Sequence, residues 1–220
     1  MPPFYADAAQ VPLTAGRPLL IVDADEVLLL FADGFDKFLA DHACYFDFSS
    51  YHLFGNVRRK IDDDALANSD VTILLDEFRD QFVSLKAVDG AVDAIAELSP
   101  LMEIVVLSNM APSQAPARLQ NFSSLGLSLP LVINSGSKGA AVATLAKRAN
   151  GPVFFVDDIP RHLADAAEMA PDVFCIHLVG DERLRPKRPF SEEAHLRADS
   201  WPQIVAFIRQ HLAAAQTRGT

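Results

Sequence analysis

Leu19-Leu20-Ile21-Val22-Asp23-Ala24-Asp25 is the stretch that decides the fold of this chain. Its aliphatic half has the pattern of a strand that is buried on both faces, as in a parallel sheet covered by helices. The strand ends in two carboxylates, and open α/β sheets bind ligands at the carboxyl ends of their strands. Because neighbouring carboxylates repel each other, the pair indicates a bound cation or acid–base chemistry. The alternative interpretation is a solvated pair of aspartates in a turn.

Composition limits the class of protein. The chain has 220 residues, half of them hydrophobic, and a formal net charge of −10. This length suits one domain with a modest insertion, and the charge disfavours nucleic-acid binding, although a local cation can still bring a small anionic substrate to one site. Cys44 and Cys175 lack metal-ligand spacing, which fits a reducing cytoplasm. Without a signal-peptide pattern or a membrane-spanning run, we expect a cytoplasmic monomer or homodimer with no membrane partner.

Strands and helices alternate in the second half of the chain. Apolar runs predict four further strands, at residues 103–107, 131–134, 153–156 and 173–179, with a helical pattern between successive strands. This alternation predicts a doubly wound parallel α/β sheet of five or more strands. Residues 1–17 are predicted to be a loose leader, and residues 180–200 a surface loop.

Residues 31–87 differ in character from the rest of the chain. Two apolar stripes with helical spacing run through them, namely Phe35, Phe38 and Leu39, and then Val71, Leu74, Leu75, Phe78 and Phe82. The aromatic and polar segment between the stripes has no pattern that indicates a strand. We therefore predict a small helical insertion at 31–87 within a core domain formed by 1–30 and 88–220.

Polar side chains follow four of the predicted strands. They are Asp23 and Asp25, then Ser108 and Asn109, then Lys138, and then Asp157 and Asp158. Because the carboxyl ends of parallel strands share one edge of a sheet, these side chains can converge. Each type has a role in phosphoryl transfer: a carboxylate attacks phosphorus, a second carboxyl handles the proton, and a hydroxyl and an ammonium hold the phosphoryl oxygens. Grouped carboxylates also suit Mg²⁺, which prefers oxygen ligands.

With these motifs in this order, the chain resembles the haloacid dehalogenase-like hydrolase superfamily. The resemblance rests on Asp23-Ala24-Asp25, Leu107-Ser108-Asn109, Lys138 and Asp157-Asp158, and covers about residues 18–30 and 88–180. It implies a sheet whose strands, numbered along the chain, lie in the order 5-4-1-2-3. It also implies that residues 31–87 are a cap that closes over the site and selects substrates.

The resemblance implies a role for each motif residue. Asp23 is expected to be the nucleophile and Asp25 the general acid and base, while Ser108 binds the phosphoryl group and Lys138 neutralises charge. Asp157 is expected to hold Mg²⁺ together with Asp23 and the backbone carbonyl of Asp25. Asp158 is expected to be a further ligand or to support the ligands.

Asp25 bears on the type of reaction. Dehalogenases of this superfamily lack a carboxylate at that position, so its presence favours an Mg²⁺-dependent phosphatase that cleaves a small phosphorylated metabolite through an aspartyl-phosphate. A phosphomutase, a dehalogenase-type hydrolase and a non-catalytic binding protein of the same fold are the alternatives. Glu26 is the sequence feature that favours the non-catalytic alternative, because the family commonly has glycine there. A second departure from the family pattern is Gly139, which stands where many relatives have proline.

Asn109 and Arg58 complete the predicted substrate-binding set with Ser108 and Lys138. Arg58 belongs to Arg58-Arg59-Lys60, the strongest basic cluster in an acidic chain. The cluster is interpreted either as a solvated face that balances the acidic run 62–64 or as a contact to an anionic substrate. His52, His162 and His177 have no paired metal spacing, and each is interpreted as structural or surface-exposed.

Overall fold

The structure, a computed structural model, describes residues 3–79 and 84–218. The strands in these ranges are β1 (Phe4–Tyr5), β2 (Leu19–Val22), β3 (Cys44–Phe46), β4 (Val57–Arg59), β5 (Glu103–Asn109), β6 (Leu131–Asn134), β7 (Val153–Asp157), β8 (Phe174–Leu178) and β9 (Leu196–Ala198). The helices are α1 (Phe31–Asp41), α2 (Asn68–Arg79), α3 (Ala91–Leu98), α4 (Ala115–Ser124), α5 (Gly139–Ala149), α6 (Pro160–Met169) and α7 (Trp201–Arg218). Phe82, the last residue of the second apolar stripe, lies outside the described residues.

A parallel sheet forms the centre of the molecule. Within the described residues its seven strands lie in the order β1-β6-β5-β2-β7-β8-β9, and every pairing is parallel. The five strands predicted from the sequence occupy the predicted order, and β2 lies between β5 and β7. All four residues of β2 are fully buried, because helices cover both faces of a doubly wound sheet. The predicted fold class is confirmed.

Both edges of the sheet differ from the sequence prediction. The predicted leader supplies β1, which pairs with Leu131 and Val132 of β6, and it also supplies Val11, which is fully buried in the core. The predicted surface loop at 180–200 supplies β9, which pairs with β8. Strands of two and three residues are too short to show a period of two, so the sequence pattern does not reveal them.

The predicted insertion contains secondary structure of both kinds. Helix α1 buries Phe35, Phe38 and Leu39 as predicted, and α2 buries Val71, Leu75 and Phe78, while Leu74 is half-buried. The expectation that the segment between the two stripes contains no strand was wrong, however, because β3 and β4 pair there as an antiparallel hairpin. The two chain segments that connect the insertion to the sheet are hydrogen-bonded to each other, from the Leu30 N–H to the Lys86 carbonyl and from the Val88 N–H to the Leu28 carbonyl. The division into a core and a cap stays a prediction.

Helix α7 ties the end of the described chain to the loop that carries the first motif. Trp201 is fully buried, and its indole Nε1 donates a hydrogen bond of 3.0 Å to the carbonyl of Val27. A buried indole N–H needs such an acceptor, so this contact fixes the position of the loop after β2 as well as that of the helix. Among the described residues, no helix combines the length and apolar character that crossing a membrane requires.

Candidate active site

One cavity of about 240 Å³ lies at the carboxyl edge of the sheet, beneath the insertion. Of the residues predicted to form the site, Asp23, Asp25, Ser108, Asn109, Lys138 and Asp158 line it. Asp157 is fully buried and contacts the site through Lys138. The parallel sheet brings these groups together because β2, β5 and β7 are neighbours and all end at the same edge.

Lys138 joins two of the predicted site carboxylates. Its Nζ lies 2.7 Å from Asp23 Oδ1 and 2.7 Å from Asp157 Oδ2. The lysine immediately precedes α5 and is only 1% exposed. Burial alone would lower the pKa of Lys138, but the charges of Asp157 and Asp23 outweigh burial and raise the pKa above its usual value. The side chain is therefore a permanent cation between two carboxylates.

The carboxylates of the site differ in charge state because their surroundings differ. Burial raises the pKa of Asp23 to about 6, against the opposing effect of Lys138. Burial also acts to raise the pKa of Asp157, but Lys138 and His162 more than offset it, and the pKa falls to about 2. Burial raises the pKa of Asp158 well above its usual range, although Arg188 opposes the change. Holding these three groups together as anions is therefore unfavourable without further positive charge.

Asp23, Asp157 and Asp158 form a candidate metal centre. One carboxylate oxygen from each lies within 4.8 Å of the others, and all three residues are buried. The three carboxylates contact two protein cations, Lys138 and Arg188, so with all three ionised the negative charges exceed the positive ones by one. Oxygen donors with surplus negative charge fit a hard divalent cation such as Mg²⁺.

Asp25 is held by an arginine that the motifs do not include. Arg118 of α4 lies 2.7 Å from Asp25 Oδ1 through Nη1 and 3.0 Å from Oδ2 through Nη2. The Nη2–Oδ2 contact is a hydrogen bond, and with Nη1 close to Oδ1 it holds the carboxylate against the guanidinium. The signal for Arg118 in the sequence was weak but present, because it lies with Ala115, Leu119 and Phe122 on the buried face of α4, where an unpaired arginine would be costly.

Glu26 is buried within the site and does not point outward. Its Oε1 accepts a hydrogen bond of 2.7 Å from the N–H of Ala32 at the start of α1. Its Oε2 accepts one of 3.0 Å from the N–H of Asp181, in the loop after β8. The backbone of Glu26 is left-handed, with φ of 59°, which is the conformation that glycine at this position adopts without strain. The side chain thus connects the insertion to a core loop.

His162 and Arg188 line the cavity although the sequence analysis assigned neither to the site. His162 Nδ1 lies 3.2 Å from Asp157 Oδ1. His162 therefore belongs to the site and is not merely a structural or surface histidine. Arg188 Nη2 lies 2.6 Å from Asp158 Oδ2. Arg188 belongs to the charged segment 180–200, in which the sequence offers no pattern that distinguishes one arginine from its neighbours.

The remaining candidates, Asn109 and Arg58, are placed differently. Asn109 Nδ2 donates to the carbonyl of Gly136, and its Oδ1 accepts from Asn134, so it orders the loop that precedes Lys138. The structure does not bring Arg58 to the cavity. Arg58 contacts Asp47 at 3.3 Å and the carbonyl of Asp63 at 2.7 Å. These contacts favour the interpretation of the basic cluster as a face that balances nearby acidic residues.

Comparison with known proteins identifies the fold. No protein-family model matches the sequence, and no curated protein matches it. Solved structures do match. A haloacid dehalogenase-like protein of unknown function from Agrobacterium tumefaciens has 14% identity and a TM-score of 0.64, over 90% of this chain and 100% of that chain. A hydrolase of subfamily IA of the same superfamily from Geobacter sulfurreducens has 16% identity and a TM-score of 0.58, over 89% and 98%.

A third structure carries a more specific description. It is a putative beta-phosphoglucomutase from Thermotoga maritima, with 14% identity and a TM-score of 0.55, over 88% of this chain and 99% of that chain. At these identities the likeness concerns the fold alone. The chain has the fold of the haloacid dehalogenase-like hydrolases, as the resemblance of its motifs implied.

Proposed function

We propose that this protein is an Mg²⁺-dependent phosphohydrolase that cleaves the phosphate monoester of a small metabolite through an aspartyl-phosphate. The observation that carries the proposal is the buried cluster of Asp23, Asp157 and Asp158 with Lys138 between two of them. Such a cluster is costly unless it serves a cation and an incoming anion. Its position at the carboxyl edge of the sheet, facing a cavity, supports the same function.

Each step of the reaction has a group on this chain. Asp23 attacks phosphorus, and the alcohol oxygen that leaves takes a proton from Asp25. Water then attacks the aspartyl-phosphate while Asp25 takes a proton from it, which releases inorganic phosphate and restores Asp23. Lys138 balances the charge of the nucleophile while the phosphoryl group approaches, and Ser108 at the end of β5 binds a phosphoryl oxygen.

The carboxylates of Asp23, Asp157 and Asp158 hold Mg²⁺ in this proposal. When bound, the ion supplies positive charge that stabilises the phosphoryl oxygens in the transition state. Arg118 orients Asp25 from behind the site, so that its partly exposed carboxylate faces the cavity. Arg118 is accordingly a positioning residue.

Two observations weigh against the alternatives. A carboxylate at Asp25 suits an oxygen leaving group, which needs a proton, whereas a halide does not. The non-catalytic alternative rested on Glu26. The side chain of Glu26 accepts hydrogen bonds from the backbone of Ala32 and Asp181, and it leaves the contact between Asp23 and Lys138 in place. The likeness to a putative phosphoglucomutase concerns the fold and does not favour mutase chemistry.

The test is phosphate release from a panel of phosphorylated metabolites, with Mg²⁺ and with a chelator in its place. We expect turnover only with Mg²⁺, and a loss of about three orders of magnitude or more in kcat for Asp23→Asn, because the variant cannot form the covalent intermediate. Trapping of phosphate on Asp23 in the Asp25→Asn variant, detected by mass spectrometry of the intact chain, separates this mechanism from direct attack by water.

The matched control is Asp172→Asn. Asp172 is exposed and precedes β8, so it lies at the amino edge of the sheet, opposite the cavity. This variant should retain wild-type kcat. Metal-independent turnover, or full activity in Asp23→Asn, would contradict the proposed function, as would a folded protein that neither binds Mg²⁺ nor releases phosphate from any compound.

A further inference from the structure

The cavity has two chemically different parts. Its base carries the carboxylates and Lys138, and its opposite wall comes from the insertion. The wall residues are Phe31, Ala32, Phe35, Phe46, Tyr51 and Leu53. Apart from the hydroxyl of Tyr51, their side chains contain no polar atom, so the wall offers few hydrogen bonds to the part of a substrate that is not phosphate.

We propose that the wall binds a compact apolar group of about the size of a benzyl group, and that the substrate is the phosphate ester of a small apolar alcohol. This inference rests on the proposed function, which supplies the phosphate at the base of the cavity. It excludes sugar phosphates and nucleotides as preferred substrates. A pocket without hydrogen-bond partners rejects an isostere with an added hydroxyl by about 100-fold, because that hydroxyl loses its water.

The volume of the cavity supports a compact group. At about 240 Å³ it is smaller than the roughly 300–1,000 Å³ that is typical of pockets for drug-sized ligands. Phosphate at the base fills part of this space, and the remainder suits a single ring. A nucleoside and its phosphate together would extend beyond this space.

The charges at the cavity also disfavour a second anionic group on the substrate. The basic side chains that line the cavity are Lys138, His162 and Arg188, and each already contacts a carboxylate. The guanidinium of Arg188 additionally lies 4.7 Å from the centre of the Tyr51 ring, an arrangement that stabilises the cation within the protein. A substrate with one phosphate and no other charge fits this balance.

The test compares benzyl phosphate with glycerol 3-phosphate. Both leaving groups are primary alcohols, so the intrinsic reactivity of the two esters is similar. The comparison therefore measures how the wall contributes to the choice of substrate. We expect kcat/KM for benzyl phosphate to exceed that for glycerol 3-phosphate by about 50-fold or more. Leu53→Gln, which places an amide in the wall, should reduce this ratio by about fivefold or more. The control is Ile73→Gln on the exposed side of α2, which should leave the ratio unchanged.

The outcomes separate the two proposals. If kcat/KM for glycerol 3-phosphate equals that for benzyl phosphate and the reaction depends on Asp23, the inference about the wall is wrong and the proposed phosphatase function is retained. If no phosphate is released from either, the inference is tested by binding, measured by calorimetry with 2-phenylethylphosphonate and 3,4-dihydroxybutylphosphonate, in which CH₂ replaces the ester oxygen of the two substrates. Binding of 2-phenylethylphosphonate that is tighter by about tenfold or more supports an apolar binding wall, and equal or absent binding of the two compounds overturns it.

Discussion

Arg118 and Asp25 form an ion pair whose members differ in their access to water. The side chain of Arg118 is 0% exposed and that of Asp25 is 30% exposed. Water can therefore replace the arginine around Asp25, but it cannot replace the carboxylate around Arg118. Removing the carboxylate should therefore destabilise the protein more than removing the guanidinium does.

This asymmetry predicts unequal effects of breaking the pair. Asp25→Asn should lower the free energy of unfolding by about 3 kcal/mol, because it removes the carboxylate from a buried guanidinium. Arg118→Met should cost less, about 1–2 kcal/mol, because the remaining carboxylate can be hydrated. Urea unfolding of both variants measures the difference.

The control for the pair is Arg209→Met, which removes an exposed arginine from its contact with Glu97. Exposed pairs contribute little, so this variant should change stability by less than about 1 kcal/mol. Equal losses in the Asp25 and Arg118 variants, or a larger loss in the latter, would contradict the interpretation of this ion pair.

Glu26 predicts how stability depends on pH. Burial raises its pKa from 4.5 to about 7, so the folded state binds the proton more tightly than the unfolded state does. Stability from this group therefore falls as pH rises from about 4.5 through about 7. In the metal-free protein, Glu26→Gln should remove this fall and gain up to about 3 kcal/mol relative to wild type between about pH 4.5 and pH 8.

The measurement is urea unfolding of wild type and variant at both ends of this pH range. Glu168→Gln, which removes an exposed carboxylate from α6, is the control for the loss of one charge. The prediction concerns how the difference in unfolding free energy between variant and wild type changes with pH. An effect of the altered hydrogen bonds that is the same at every pH therefore cancels. The same pH dependence in Glu26→Gln and wild type would show that the carboxylate is not responsible.

At the residue scale, the sequence reveals groups whose position follows from the ends of strands. Asp23, Ser108 and Asp157 could be predicted because each ends an apolar run. Arg188 could not, because it reaches the site from a segment whose orientation is set by tertiary packing, and the apolar face of α4 gives only a weak signal for Arg118. The link that Glu26 forms between the insertion and the loop after β8 could not be predicted either, since its partners are backbone N–H groups, which every sequence provides.

Among the elements, the segment before β2 contributes more than a leader would. Val11→Ala should lower the free energy of unfolding by about 2 kcal/mol, because the fully buried side chain leaves a cavity in the core. Leu101→Ala, at a position that is 41% exposed, should cost less than about 1 kcal/mol. Thermal and urea unfolding provide the comparison, and an unaffected Val11→Ala would restore the interpretation of residues 1–17 as a loose leader.

The start of α5 explains a departure from the family pattern. A Cβ at Gly139 would lie 2.5 Å from the carbonyl oxygen of Asp165 and 2.9 Å from the sulfur of Met169, both on α6. Proline, the residue that the resemblance implies here, would introduce that atom. The close approach of α5 to α6 therefore requires glycine, and the departure concerns packing next to Lys138.

For the whole molecule, the sequence predicts the sheet and its strand order better than it predicts how the insertion sits on the sheet. The order follows from alternating patterns and connections that are right-handed by rule. The docking of the insertion depends instead on the loop after β8, where Arg183 lies 3.6 Å from Asp33 of α1 and 3.7 Å from the centre of the Phe48 ring. The sequence shows this loop only as charged and irregular.

The shortness of the two outermost strands limits how copies of the protein can associate. The sheet ends in β1, with two residues, and in β9, with three. A strand of that length offers only a few backbone groups as a template for another chain, and natural proteins use such short margins to prevent fibril-like growth. Folded copies are thus protected from joining sheet to sheet, which leaves the helices, the loops and the insertion as surfaces through which a homodimer could form.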